Sequence, residues 1–185
     1  MTHNAKSLVY REIGVEQLSV IQPLWEKLRA YHVAVSPHFA ARRSARTFDA
    51  RRQELLAKNT TGRLKVDVTC TDIKSAPVAY CVTSLASDGV GEIDSLFVDQ
   101  DYRGKGIGTE LMRRALSWLD GHMATSKTVI VAFGNDLAIE FYRRFGFLAD
   151  NIALRQISDT SDTGRNKMDR VRSVQNTPCE GRVIQ

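Results

Sequence analysis

Cysteine and histidine are scarce in this sequence and poorly placed for chemistry. The three cysteines, Cys70, Cys81 and Cys179, form no C-x-x-C pair and stand at no ligand spacing from a histidine, which argues against a zinc site or a disulfide framework. Cys70 and Cys81 fall inside apolar runs, where a free thiol packs as a small hydrophobe. His32, His38 and His122 lack spaced partners, so no metal is expected. No apolar run approaches the roughly 20 residues needed to cross a bilayer. The first fourteen positions contain no continuous apolar segment of the secretory kind. Together these lacks lead to the expectation of a cytoplasmic protein with no membrane partner.

What is present suits one ordinary domain. The chain has 185 residues, of which 43% are hydrophobic, enough to build a core. Its formal net charge is +5, which favours anionic partners. Nucleic acid and a phosphate-bearing cofactor fit that charge equally well. The sequence shows no groove-reading motif and no stacked aromatic platform, so nucleic acid is not expected.

Hydrophobic periodicity divides the chain. Leu8 to Ile13 alternates as a strand, and Leu18, Ile21, Leu24, Trp25, Leu28 and Tyr31 recur at helical spacing, with Pro23 either kinking or delimiting that helix. A more polar helix is expected over Phe48–Ala57. Leu64–Cys70, Val78–Leu85 and Glu92–Val98 read as an antiparallel meander punctuated by turn residues. Gly108–His122 is helical, Thr128–Phe133 is a short buried strand, Leu137–Phe145 is a helix ended by Gly146, and Phe147–Ile157 supplies last-strand material. From Ser158 onward polar residues dominate, so residues 1–157 are expected to form the domain and residues 158–185 a polar, flexible tail or a loosely attached strand.

The most informative segment is the strand Glu92–Val98 followed by Arg103-Gly104-Lys105-Gly106-Ile107-Gly108 and a helix. A helix N-terminus offers unpaired N–H groups and partial positive charge, and glycines let an anion approach the backbone. Arg103 and Lys105 add cationic donors. A P-loop would need Ser or Thr after Lys105, where Gly106 stands. A dinucleotide fingerprint would need a third glycine at position 109 or 111, which hold Thr109 and Leu111.

The pattern Arg103-x-x-Gly106-x-Gly108 after an apolar strand resembles the acetyl-CoA pyrophosphate loop of the GNAT acyltransferases. A second family block follows one strand later: Asn135-x-x-Ala138-x-x-Phe141-Tyr142-x-x-Phe145-Gly146-Phe147. The resemblance implies an α/β fold with a mixed, mostly antiparallel sheet of six to seven strands and about four helices. It implies acetyl-CoA as co-substrate and a small-molecule or peptide amine as acceptor, with a homodimer left open. By the same resemblance, the backbone of Leu96, Phe97 and Val98 pairs with the pantetheine arm where this strand and Thr128–Phe133 splay apart. The amides of Arg103, Gly104, Lys105, Gly106, Ile107, Gly108 and Thr109 hold the pyrophosphate, Asn135 contacts the cofactor, and Tyr142 lies near the thioester sulfur.

Such a reaction needs a base, because a protonated amine with a pKa of ~10 is not a nucleophile. Glu92 and Asp94 are the candidates, two residues apart on one strand face, and the resemblance does not choose between them. A tyrosine hydroxyl can protonate the leaving thiolate. Direct attack in a ternary complex is expected, since no cysteine lies in the motif segment. An acyl-CoA sensor without turnover is the alternative. Arg42, Arg43, Arg46, Arg51 and Arg52 form a basic cluster, ordinarily a solvated helix face; the other reading is a site for an acidic group on the acceptor.

Overall fold

The computed structural model describes residues 8–156. The alternating residues near its start form β1 (Val9–Ile13), which pairs antiparallel with β2 (Gly62–Cys70). β2 pairs with β3 (Pro77–Ala86) and β3 with β4 (Val90–Val98), again antiparallel. β4 then pairs in parallel with β5 (Ser126–Val129), so the sheet order is β1-β2-β3-β4-β5. β3 is buried along nearly its whole length because helices cover both faces.

Period-two alternation sorts its side chains between two layers. Tyr80 and Val82 join Val66, Val68 and Phe97 under α1 (Gln22–Val35) and α3 (Phe48–Thr61), which contribute Leu24, Trp25 and Leu55. Ala79 and Cys81 face the other way, toward Ile107, Leu111, Met112, Ala115 and Leu119 of α4 (Ile107–Gly121) and Tyr142 of α5 (Asp136–Arg143). Each of the fully buried leucines of α4 is worth about 2 kcal/mol by area.

Several elements differ from the sequence reading. The segment Val15–Ile21 is a 3₁₀ turn, and Pro23 stands in the first turn of α1, so the proline delimits the helix. A short extra helix, α2 (Ala40–Ser44), has no counterpart in that reading; its residues AARRS carry no apolar period. There are thus five α-helices and five strands among the described residues, against the expected four helices and six to seven strands. β5 stops at Val129 instead of Phe133, because its ladder with β4 ends at the Ile93–Val129 pair. The expected final strand does not form over residues 147–156, which have no regular secondary structure and no ladder partner among the described residues.

The chain divides after Asp150 into two units, and of the second only residues 151–156 are described. The expected boundary after Ile157 and the tail of residues 158–185 lie outside the described residues. Among the described residues no helix is long and apolar enough to cross a membrane, and no group of His, Cys, Asp and Glu could hold a metal ion.

Candidate functional site

The parallel ladder between β4 and β5 runs only from Val90–Ser126 to Ile93–Val129. Immediately after it, β4 carries an irregularity. Val82 pairs with Ser95 and Thr83 with Ile93, so Asp94 is an extra residue without a partner on β3. Such a bulge bends a strand and re-aims its side chains. Beyond it β4 has β3 on one edge, while the other edge has no strand partner from Asp94 to Val98 among the described residues. Leu96 and Val98 pack in the α4/α5 layer, Phe97 in the α1/α3 layer. The structure therefore opens a gap between β4 and the chain that follows β5.

The glycine-rich turn stands at the end of that gap. Gly104 and Gly106 have φ of 74° and 78°, a left-handed backbone that other residues adopt only with strain. Nothing lies within 4 Å of where a Cβ would sit on either glycine, so the space in front of them is open. Gly106 occupies the N-cap position of α4 and no side chain caps the helix. The first N–H groups of the helix are free to face an anion. Gly108 differs from these two: a Cβ there would lie 3.4 Å from the Phe141 ring and 3.6 Å from Val98, in ordinary contact with α5 and β4. The Arg103 side chain donates from Nε to the Val98 carbonyl at 3.0 Å and lies over the Phe97 ring. Lys105 donates to the Asp101 carbonyl at 3.0 Å. The side chain of Ile107 is buried, and only its backbone serves the turn.

The second motif places α5 beside the same gap. Asn135 caps α5: its amide oxygen accepts from Ala138 N at 3.3 Å and from the Tyr31 hydroxyl of α1 at 3.2 Å. Ser36 at the end of α1 donates to the Phe133 carbonyl, and a Cβ on Gly134 would lie 2.2 Å from the Val35 carbonyl oxygen. The end of α1 is thus pinned to the loop that follows β5. Tyr142 is buried between Phe141 and Phe147. Burial raises its pKa, with the nearby Cys81 thiol and Tyr80 hydroxyl acting in the same direction, so it stays protonated. Burial likewise pushes the Cys81 thiol up to about 12.

The two carboxylates lie on the opposite side of the sheet from Tyr142, under α3. Lys58 donates to Glu92 at 2.6 Å and to Asp94 at 2.7 Å. Arg51 donates to the Asp94 carbonyl at 3.1 Å and approaches its Oδ1 at 3.5 Å. The Asp94 side chain is 1% exposed and that of Glu92 27%. Desolvation works against the Lys58 charge, yet its hydrogen bonds to the two carboxylates win and its pKa is raised. Neither carboxylate is the solvated strand-start charge that sequence alone allows.

Sequence reasoning does not find Lys58 or Tyr31. Lys58 stands in the last turn of a polar helix and nothing local marks it; its role follows from how its side chain reaches over from α3, which packs on β2 and β3, to the carboxylates of β4. Arg51 stands in the basic cluster without distinction. The capping function of Asn135, by contrast, is readable as an Asn immediately before a helix.

A family model described as the Acetyltransferase (GNAT) family matches residues 24–147. The chain belongs to this family. An uncharacterized N-acetyltransferase of Methanocaldococcus jannaschii is 38% identical over 82 residues, 41% of this chain and 36% of that relative. The chain spans about a third of the length of the curated relatives it matches. Among solved structures, a GCN5-related N-acetyltransferase from Ralstonia eutropha superposes with a TM-score of 0.65 at 20% identity, covering 82% of this chain and 99% of the other. The aminoglycoside acetyltransferase AAC(6')-Iy, solved with the bisubstrate analogue CoA-S-monomethyl-acetylneamine, gives 0.57 at 13% identity, covering 82% and 99%. These two likenesses establish the GNAT fold.

Proposed function

We propose that this GNAT chain moves an acetyl group from acetyl-CoA to a primary amine by direct attack in a ternary complex. The observation that carries the reading is the early end of the β4–β5 ladder, followed by an uncapped α4 N-terminus behind two left-handed glycines. An extended arm ending in a diphosphate fits that combination: the free edge of Leu96, Phe97 and Val98 pairs with the arm, and the amides of Arg103 through Thr109 hold the diphosphate. A complex of CoA chemistry with the same fold supports this choice of co-substrate.

In this reading Asn135 lies against the arm while bracing α5 to α1. An amide of β4 near Phe97 or Val98 steadies the charge that develops on the thioester oxygen. The acceptor amine loses a proton to a carboxylate, its nitrogen bonds to the acetyl carbon, the C–S bond breaks, and the thiolate takes the Tyr142 proton. Between the two carboxylates, Glu92 is the better base. It has one cationic partner and reaches solvent, whereas Asp94 is enclosed between Lys58 and Arg51. Cys81, buried and protonated, is unsuited to carry the acetyl group.

Thiol release from acetyl-CoA, followed across a panel of amines, tests the proposal directly. Turnover that collapses in Tyr142→Phe while CoA still binds is the expected result. Calorimetry showing no heat on adding CoA to the parent chain would refute it.

A further inference from the structure

The charges on the α1/α3 side of the gap do not balance among themselves. Three carboxylates there are already taken: Glu54 pairs with Arg46 and, at 3.3 Å, with Arg51; Asp94 pairs with Lys58 and Arg51; Glu92 pairs with Lys58. Arg42, Arg43 and Arg52 remain, and none has a carboxylate partner among the described residues. The Nε atoms of Arg43 and Arg52 are buried with no hydrogen-bond partner. Asp49 and Glu26, the other nearby acids, line a notch with Arg29 between the N-terminal turns of α1 and α3, and among the described residues neither forms an ion pair with Arg42, Arg43 or Arg52.

Arg43 is the most exposed to this imbalance. Its pKa is lowered by burial and by repulsion from Arg42 and Arg46. The neighbouring His32 on α1 is driven down to about 4 by burial and by Arg43, so its imidazole is neutral and adds no further positive charge. What sets Arg43 apart from Arg11 and Arg52, whose Nε atoms are likewise buried and unpartnered, is that its guanidinium also faces like charges, and an anionic ligand would answer both deficits. Its position matters as well. α2 packs on α1, and the end of α1 is tied through Tyr31 and Ser36 to Asn135 and Phe133 beside the gap.

We infer that the acceptor amine carries an anionic group, a carboxylate or its equivalent, which Arg43 with Arg42 receives while Lys58 and Arg51 cancel the acidic pair that would otherwise draw a polycation. The inference rests on the acetyl-transfer reading above and narrows its acceptor class. Arg43 is a binding residue for the acceptor, and Lys58 is a specificity residue that acts through Glu92 and Asp94.

The test compares dipeptides bearing a free C-terminal carboxylate with the same dipeptides amidated, and with spermidine. In the parent chain, kcat/KM for the acids should exceed that for the amides by about tenfold, as expected for one charge-assisted hydrogen bond. Arg43→Gln should bring that ratio close to one, chiefly through KM, and Arg43→Lys should restore part of it. Lys58→Gln should raise the use of spermidine. A second readout needs no turnover: the His32 imidazole resonance, sitting beside Arg43, should titrate with the dipeptide acids and not with the amides. Equal use of acid and amide, preference for spermidine by the parent chain, or a His32 response to duplex DNA but not to the dipeptides would each overturn the inference. Should the parent chain acetylate nothing while His32 still responds to the acids alone, the anion site stands and the acetyl-transfer reading falls. Silence in both readouts removes both.

Discussion

At Gly104 and Gly106 the backbone, not the side-chain space, sets the constraint. Both have positive φ and open surroundings, so alanine meets no neighbour and suffers only the left-handed strain, about 1 kcal/mol at each position. The Gly104→Ala/Gly106→Ala double variant should keep its fold by circular dichroism yet bind CoA at least about tenfold more weakly by calorimetry, since 1.4 kcal/mol is tenfold. Tyr142 poses the opposite case. Its hydroxyl is held protonated by burial, so Tyr142→Phe should lower kcat by about 10²-fold, as for the loss of a general acid, with little change in CoA affinity. Both motifs are legible in the amino-acid sequence by itself, because spaced glycines and an Asn-Tyr helix block leave marks in a single chain. The pairing state of Glu92 and Asp94 is not: their cations come from a helix more than thirty positions away, and no local pattern reports which α3 side chains reach over to β4.

At the scale of elements, α3 is both a wall of the core and the carrier of those cations. Arg51 is 9% exposed and bonds Asp94 through both its carbonyl and its carboxylate. Removing it as Arg51→Met leaves a buried carboxylate half-answered and should cost about 3 kcal/mol of stability, read from the urea midpoint. The junction between α1 and the loop after β5 is equally confined. Gly134→Ala would force a Cβ against the Val35 carbonyl at a φ of 86°, so α1 should lose its anchor and amide exchange should quicken at Tyr31 to Ser36. The long elements follow from their periods of two and 3.6. α2 escapes because five residues with two arginines carry no period. The end of β5 escapes because a strand ends where its neighbour departs, and Ile130 to Phe133 are as apolar as residues that stay paired.

For the molecule as a whole, the surplus of basic residues gathers into specific relations instead of spreading evenly. His32 titrates near 4 in the folded chain against 6.5 when free, so the unfolded chain takes up the proton first as acid is added. Stability should therefore fall as pH drops from about 6.5 toward 4, by at most about 3 kcal/mol and less after solvent screening. His32→Gln should flatten this part of the profile in chemical denaturation at pH 7 and pH 4.5. Asp99 adds to the same trend below its ordinary range, because the Lys27 ammonium at 2.5 Å holds its carboxyl low.

A sheet that stops zipping partway leaves a row of main-chain groups waiting for company. If a guest arm fills that row, the guest becomes temporary scaffolding as well as reactant. Loading should then slow deuterium uptake along 94–98, and the emptied protein should loosen there first after each cycle.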